Sequence, residues 1–249
     1  FNNELKAGLW LGRAQRSGSL TERFINFFPV GIDPYEMLGN PNLNPEVNHQ
    51  LDINLQWRPN EKTSINATLF GAYLTDYISS IIDPSLSPRL PMSPGVRRYI
   101  NIDEAYKTGF EFSWSQQISS TIQHQLAIAY TYAQDVERDE PLPEIAPLDI
   151  NYTLIGNFLN DKLSTSLGFR FVADQNRNST EFGETPTPSF TLVDLNVGYQ
   201  ILNNVRLDAG VQNIFDENYY EHLNRSVRGT TNPIFAPGKN VFVNLNYNF

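Results

Sequence analysis

Residues 240–249, Asn-Val-Phe-Val-Asn-Leu-Asn-Tyr-Asn-Phe, alternate in character to the last position. Successive side chains of a strand point to opposite sides, so Val241, Val243, Leu245, Tyr247 and Phe249 share one face. The other face carries Phe242, then Asn244, Asn246 and Asn248. One side is apolar and the other can meet water. Two settings accept such a strand: the edge of a soluble sandwich, or the closing strand of a membrane barrel. The rest of the chain has to decide between them.

The same design recurs upstream. Leu5, Ala7, Leu9 and Leu11 alternate with Lys6, Gly8, Trp10 and Gly12; Val47, His49, Leu51, Ile53, Leu55 and Trp57 alternate with Asn48, Gln50, Asp52, Asn54 and Gln56. A third strand over 65–78 places Ile65, Ala67, Leu69, Tyr73 and Tyr77 on one side. A fourth over 106–115 sets Tyr106, Phe110, Phe112 and Trp114 against Lys107, Gly109, Glu111 and Ser113. Strands at 122–132, 150–158, 163–173, 190–201 and 205–212 bring the total to about ten.

The connections are as informative as the strands. Short turns at 58–62, 118–121, 159–162 and 202–204 alternate with long loops rich in Pro, Ser and Asn at 16–45, 83–95, 135–147, 174–188 and 215–237. All long loops therefore fall at one end and all short turns at the other. Outer-membrane barrels segregate their connections in this way, and soluble sandwiches have no reason to. The expected fold is all-β: a transmembrane antiparallel up-and-down β-barrel, with the carboxy terminus at the short-turn, periplasmic end.

Composition agrees with this. The mean hydropathy of -0.37 comes with no apolar run near the ~18 residues that a membrane helix needs, whereas barrel strands need only about 9–11 alternating residues. The 12 Tyr, 16 Phe and 3 Trp suit strands and membrane interfaces. With 0 Cys there is neither a disulfide framework nor a thiolate metal site, and a net charge of -9 argues against a nucleic-acid partner. No signal peptide is present, and Phe1 falls near the start of a strand, so a mature or truncated product is expected.

If the apolar face meets lipid, the opposite face lines a hydrated lumen. It carries Asp52, Lys107, Glu111, Arg170, Asp194, Arg206 and Asp208, together with Gln50, Asn54, Gln56, Asn196 and Gln212. Arg170, Arg206, Asp208 and Glu111 are expected to form cross-strand ion pairs inside the lumen or to face a plug. Backbone groups in hydrocarbon must all be paired, so either these strands close among themselves or more of the sheet lies outside this sequence.

Several stretches, in order, resemble the carboxy-terminal part of the barrel of TonB-dependent outer-membrane receptors. They are GNPNLNPE (39–46) leading into a strand, YINIDEAYKTGFE (99–111), NIFDENYYEHLNR (213–225) and APGKNVFVNLNYNF (236–249), with Lys239 where Arg is commoner. The resemblance covers essentially the whole chain. It implies about ten strands of a 22-stranded barrel, residues 1–249 being its carboxy-terminal portion, with the plug domain, the TonB box and the early strands lying outside this sequence. Such a receptor sits in the outer membrane of a Gram-negative bacterium. It binds a scarce small-molecule or metal-chelate ligand outside, such as an iron–siderophore, another metal complex or cobalamin, and imports it with energy relayed by TonB. Its implied partners are lipid, its own plug and remaining strands, the TonB complex through the plug, and the barrel-assembly machinery, which would read Val243, Leu245, Tyr247 and Phe249.

No catalytic constellation and no cofactor motif is visible. His49, His124 and His222 have no second His at ligand spacing, and with only 2 Met no soft-metal cluster forms, so no metal site is expected. Glu221, His222, Asn224 and Arg225 in the last long loop are the candidates for ligand or plug contact. Tyr219 and Tyr220 are expected in the outer aromatic belt, and Trp57, Trp114, Tyr247 and Phe249 in the inner one. The alternative is a self-contained ten-stranded barrel, either an adhesin or a surface protease using His222 with Asp216 or Glu217.

Overall fold

The computed structural model describes residues 4–31, 33–224 and 233–249. Among them the elements run β1 (Leu5–Arg16), α1 (Leu20–Phe24), β2 (Asn26–Phe28), β3 (Glu36–Leu38), β4 (Glu46–Asn60), β5 (Thr63–Ile82), β6 (Val96–Gln117), β7 (Ile122–Asp135), β8 (Glu140–Pro141), β9 (Asp149–Phe158), β10 (Leu163–Val172), β11 (Phe190–Leu202), β12 (Val205–Gln212) and β13 (Asn240–Tyr247). Ten strands form one continuous antiparallel path, β1-β4-β5-β6-β7-β9-β10-β11-β12-β13. Short turns close one end of the path, and the described residues of the five long connections, 17–45, 83–95, 136–148, 173–189 and 213–239, gather at the other.

Register turns the sequence alternation into two opposed surfaces. Leu9, Ile53, Leu69, Phe110 and Tyr130 stand side by side on one face. Leu9 is 64% exposed and Leu245 67%, so this face has no second layer over it, as a soluble sandwich would require. The other face is polar and internally bonded. Gln56 Nε2 donates to Asn66 Oδ1 (3.1 Å), Asn66 Nδ2 to Ser113 Oγ (3.2 Å) and Asn54 Nδ2 to Thr68 Oγ1 (2.9 Å).

The strands are also staggered. A row of partners that begins at Gln116, beside a short turn, passes through His124, Leu154, Leu167, Leu195 and Val211 to Val241, next to a long loop. Such shear is the geometry of tilted barrel strands. The path nevertheless ends at β1 and β13, which among the described residues pair only with β4 and β12, so these ten strands do not close on themselves.

Three expectations need correction. The fourth strand starts at Val96, ten positions before its expected start at 106, and runs 22 residues beside the 20-residue β5. At roughly 3.3 Å per residue these strands are on the order of 65–70 Å long, about twice the span that a membrane-crossing barrel strand needs, so apolar alternation is not required along their whole length. Tyr77 does not share the outer face with Tyr73. The backbone at Asp76 enters the left-handed region (φ 53°), the alternation inverts there, and Tyr77 packs inward under Lys107 Nζ, 4.8 Å from the ring centroid. The segment read as an open loop at 16–45 holds α1, β2 and β3, with β3 lying parallel to the start of β6.

The loop segment is built from local capping and one close approach. Ser19 and Glu22 form a reciprocal capping box, and Arg23 donates to the carbonyls of Gly18 (3.2 Å), Pro41 (2.6 Å) and Leu43 (2.8 Å), wrapping the following turn around itself. A side chain at Gly39 would lie 2.6 Å from the backbone of Arg23 and Phe24, so only glycine allows that contact. Two of the recognised motifs then meet. The Asn44 N–H donates to Asn101 Oδ1 (2.8 Å), and Asn101 Nδ2 donates to the carbonyls of Asp76 (2.7 Å) and Asn44 (3.1 Å).

Leu69→Arg on the apolar face is expected to destabilise the membrane-inserted state by about 2–4 kcal/mol if it lies near the bilayer midplane, whereas Thr68→Arg on the polar face should cost far less. Assembly yield in the outer membrane, compared between the two variants, checks this; equal yields would contradict the assignment of faces.

Candidate functional site

The five long connections are tied together by buried polar groups. Glu36 of β3 is fully buried and its carboxylate accepts the N–H groups of Arg89 (3.1 Å) and Leu90 (2.6 Å), which fixes the loop after β5. Arg97, at the start of β6, forms a buried ion pair with Asp33. Its guanidinium lies 4.1 Å from the Phe182 ring centroid and 4.9 Å from that of Tyr35, so one cation joins two loops to the start of β6. Glu140 accepts hydrogen bonds from Ser179 Oγ and Thr180 Oγ1, and Arg177 Nη2 donates to Gln134 Oε1 (2.7 Å).

These ties leave a hollow of about 820 Å³ between the loops. The loop after β1 supplies Asp33, Pro34 and Tyr35; that after β5 supplies Pro91, Met92, Ser93 and Pro94. Glu144 comes from the loop after β7, Phe182, Gly183, Glu184, Thr185 and Thr187 from the loop after β10, and Tyr220, His222 and Asn224 from the last. The lining combines aromatic and proline side chains with charged and polar ones, among them Arg97, Glu144, Glu184 and His222, and the volume lies within the range of about 300–1,000 Å³ usual for small-molecule sites.

In its wall, His222 is 3% exposed and Glu184 13%. His222 Nδ1 lies 3.2 Å from Thr187 Oγ1, while Nε2 is 3.8 Å from Glu184 Oε1 and has no hydrogen-bond partner. Glu184 accepts N–H groups from Glu144 (2.6 Å) and Ser179 (2.9 Å). Burial pushes the Glu184 carboxyl up to about 7, against the opposing effect of the Ser179 N–H, and pushes His222 down.

The expected site residues divide among several surroundings. Of the four candidates in the last loop, His222 and Asn224 line the hollow, whereas Glu221 turns to Arg170 at 2.6 Å. Arg225 lies outside the described residues. Arg170 also holds Asp149 on the neighbouring strand at 2.8 Å, a cross-strand pair of the expected kind. Arg206 pairs with Asp208 at 2.8 Å, but along its own strand and with a further bond to Ser164 Oγ (2.6 Å), not across strands. Asp194 accepts the Asn213 N–H (2.7 Å), and Gln50 Nε2 donates to Asp52 (2.9 Å). Glu111 borders a smaller hollow of about 320 Å³ with Asn66, Thr68, Asp149 and Asn151.

Tyr219 and Tyr220 are not in an outer aromatic belt. Tyr219 packs on Phe190 (ring centroids 4.5 Å) against the inward cluster of Val172, Phe190 and Leu192, and Tyr220 faces the hollow beside Phe235. The loop folds back over the sheet, so its tyrosines bury against protein. A protease pairing of His222 with Asp216 or Glu217 is not formed: Asp216 accepts the Lys239 N–H (2.7 Å), the Glu217 N–H goes to Asn213, and the carboxylate beside His222 is Glu184. Glu184, Tyr35 and Phe182 carry no periodic signal, because they sit in irregular loops that meet only in three dimensions, and Arg97 begins β6 in a stretch with no apolar alternation.

Comparison with known proteins gives the same answer as the sheet. The barrel family described as "TonB dependent receptor-like, beta-barrel" matches residues 5–214. Heme/hemopexin utilization protein C of Haemophilus influenzae is 28% identical over 238 residues, covering 83% of this chain and 32% of that protein. The iron-regulated outer membrane virulence protein of Vibrio cholerae is 26% identical, covering 74% and 30%. Among solved structures, the copper transporter OprC superposes with a TM-score of 0.83 at 24% identity, over 100% of this chain and 38% of that one. The ferric enterobactin receptor of Pseudomonas aeruginosa does so with a TM-score of 0.72 at 15% identity, over 99% and 39%. The chain thus spans about a third of the length of the curated relatives it matches. Its sheet, its staggered register and this match together show that the chain belongs to the TonB-dependent receptor β-barrel family.

Proposed function

We propose that the chain is the carboxy-terminal barrel portion of an outer-membrane receptor that captures a scarce nutrient at its long-loop end and imports it with TonB-derived energy. The observation that carries this reading is the convergence of all five long connections on one aromatic-lined hollow. Relatives carry names that refer to heme, vitamin B12, copper and metal-pseudopaline. We assign the same broad class here, a metal complex or similar small ligand.

The sheet supports the remaining parts of this reading. The polar face, with Asp52, Lys107, Glu111, Arg170, Asp194, Arg206 and Asp208, lines the lumen and meets a plug. The open edges of β1 and β13 pair with further strands of a 22-stranded barrel. The short-turn end and Phe249 lie on the periplasmic side, where Val243, Leu245, Tyr247 and Phe249 are presented to the assembly machinery before β13 is sealed.

Growth of cells on a limiting metal complex, with and without the gene for the receptor that carries this chain, tests the reading directly. Tyr220→Ala, which removes an aromatic wall of the hollow, should weaken ligand capture at least about tenfold, as loss of a buried aromatic anchor commonly does. Unchanged capture in that variant would contradict the hollow as the port. Arg97→Met should cost about 3–5 kcal/mol of local stability, because Asp33 loses its guanidinium partner inside the loops. Hydrogen exchange should then quicken in the loops after β1 and β10 while the membrane strands keep their protection.

A further inference from the structure

The geometry points to His222 and Glu184 as a two-donor handle for a divalent transition-metal ion of the Cu2+, Ni2+ and Zn2+ class, set in the wall of the loop hollow. The ion's remaining positions would be filled by water or by an open chelator that carries it. This inference rests on the reading of the hollow as the ligand port and names the chemistry that the port selects.

The first ground is an imidazole nitrogen with nothing to bond. The His222 side chain is almost fully buried, yet its Nε2 has no hydrogen-bond partner. When Nδ1–H donates to Thr187 Oγ1, at 3.2 Å, the Nε2 lone pair is left facing the Glu184 carboxylate. With Glu184 ionised, two acceptors face each other inside protein, and a cation between them reverses the sign of the interaction.

Distance fits as well. The 3.8 Å from Nε2 to Oε1 is too long for a hydrogen bond. With metal bonds of about 2.0–2.2 Å to each atom, a tetrahedral ion would hold the two roughly 3.4 Å apart and a tetragonal one such as Cu2+ roughly 2.9 Å, so rotamer adjustments of about 0.4–0.9 Å close the site. Both donors are already oriented from behind. Thr187 holds the far ring nitrogen, and the two oxygens of Glu184 accept N–H groups of Glu144 and Ser179. Such outer contacts are what fix the tautomer and direction of metal ligands.

Two donors do not make a closed structural site. Among the described residues no group of three His, Cys, Asp or Glu side chains is placed to hold a metal. The handle therefore suits an ion with coordination positions to spare, and imidazole with carboxylate suits the borderline metals. A metal fully enclosed by a hexadentate chelator would offer it nothing.

The test uses the full receptor carrying this chain, purified in detergent and titrated near neutral pH with Cu2+ alone, with Cu2+ in an open tridentate chelate, and with Cu2+ in a hexadentate chelate. Calorimetry and electron paramagnetic resonance give affinity and donor type. The first two arms should bind and the third should not. His222→Ala and Glu184→Gln should each weaken binding at least about tenfold; Thr187→Val should weaken it while keeping the nitrogen signal, which His222→Ala should remove. Circular dichroism identifies the variants that remain folded. Equal affinity and spectra in wild type and both donor variants, or no binding by wild type, would overturn the handle. If Tyr220→Ala abolishes cellular uptake while His222→Ala leaves Cu2+ binding unchanged, the port stands and the handle falls. If His222→Ala removes Cu2+ binding but neither variant alters uptake, the handle stands and the port reading falls.

Discussion

A peptide group in hydrocarbon has no water to bond, and this constraint orders the whole molecule. Each strand must pair on both sides through the bilayer, so the chain runs as an unbroken antiparallel path from β1 to β13. Pairing in register forces side chains into two opposed surfaces. The outward one can only be apolar, which is why rows such as Leu9, Ile53, Leu69 and Phe110 lie uncovered by protein. The inward one satisfies its own amides and hydroxyls, as the Gln56–Asn66–Ser113 chain does. The same constraint gives meaning to the two edges: a membrane sheet whose path ends, among the described residues, at β1 and β13 calls for further strands beside them.

Beyond the bilayer the constraint relaxes and a different one takes over. Long loops lose much conformational entropy on ordering, and they are held here by a few buried charges, each contacting several segments. Glu36 fixes one loop through two backbone N–H groups; Arg97 joins Asp33, Tyr35 and Phe182; Glu184 receives two more backbone donors. Ions buried in this way are costly unless well surrounded, and here backbone donors and aromatic faces surround them. The result is an ordered hollow at the mouth of the sheet, where a ligand meets groups already in position.

How much of this was legible in the sequence follows the same division. Where a strand crosses the membrane, one face must be apolar, so alternation shows directly which residues of β4 share a face, the turn at 118–121 and the span of β12. Above the membrane both faces can be polar, and residues 96–105 of β6 showed no such pattern. Tyr77 was assigned to the wrong face because a single left-handed residue, Asp76, inverts the alternation without any break in composition. Tyr219 and Tyr220 were misplaced because aromatic residues near a loop suit a lipid interface as well as a protein interior. His222 was visible as a candidate, but its neighbour Glu184 belongs to another loop, and no spacing rule joins them. Strand chemistry is local in sequence; loop chemistry is made by the contacts between loops.

The central claim is that one face of this sheet meets lipid and the other a polar interior. With 0 Cys in the chain, single cysteines can be placed along β4 from Leu51 to Gln56 and spin-labelled in the full receptor reconstituted in lipid. Relaxation by oxygen, which concentrates in the bilayer, should peak at Leu51, Ile53 and Leu55, and relaxation by a water-soluble nickel complex should be greater at Asp52, Asn54 and Gln56. A period of two in opposite phase for the two reagents is the predicted result. Equal access of the nickel complex at all six positions would contradict the account.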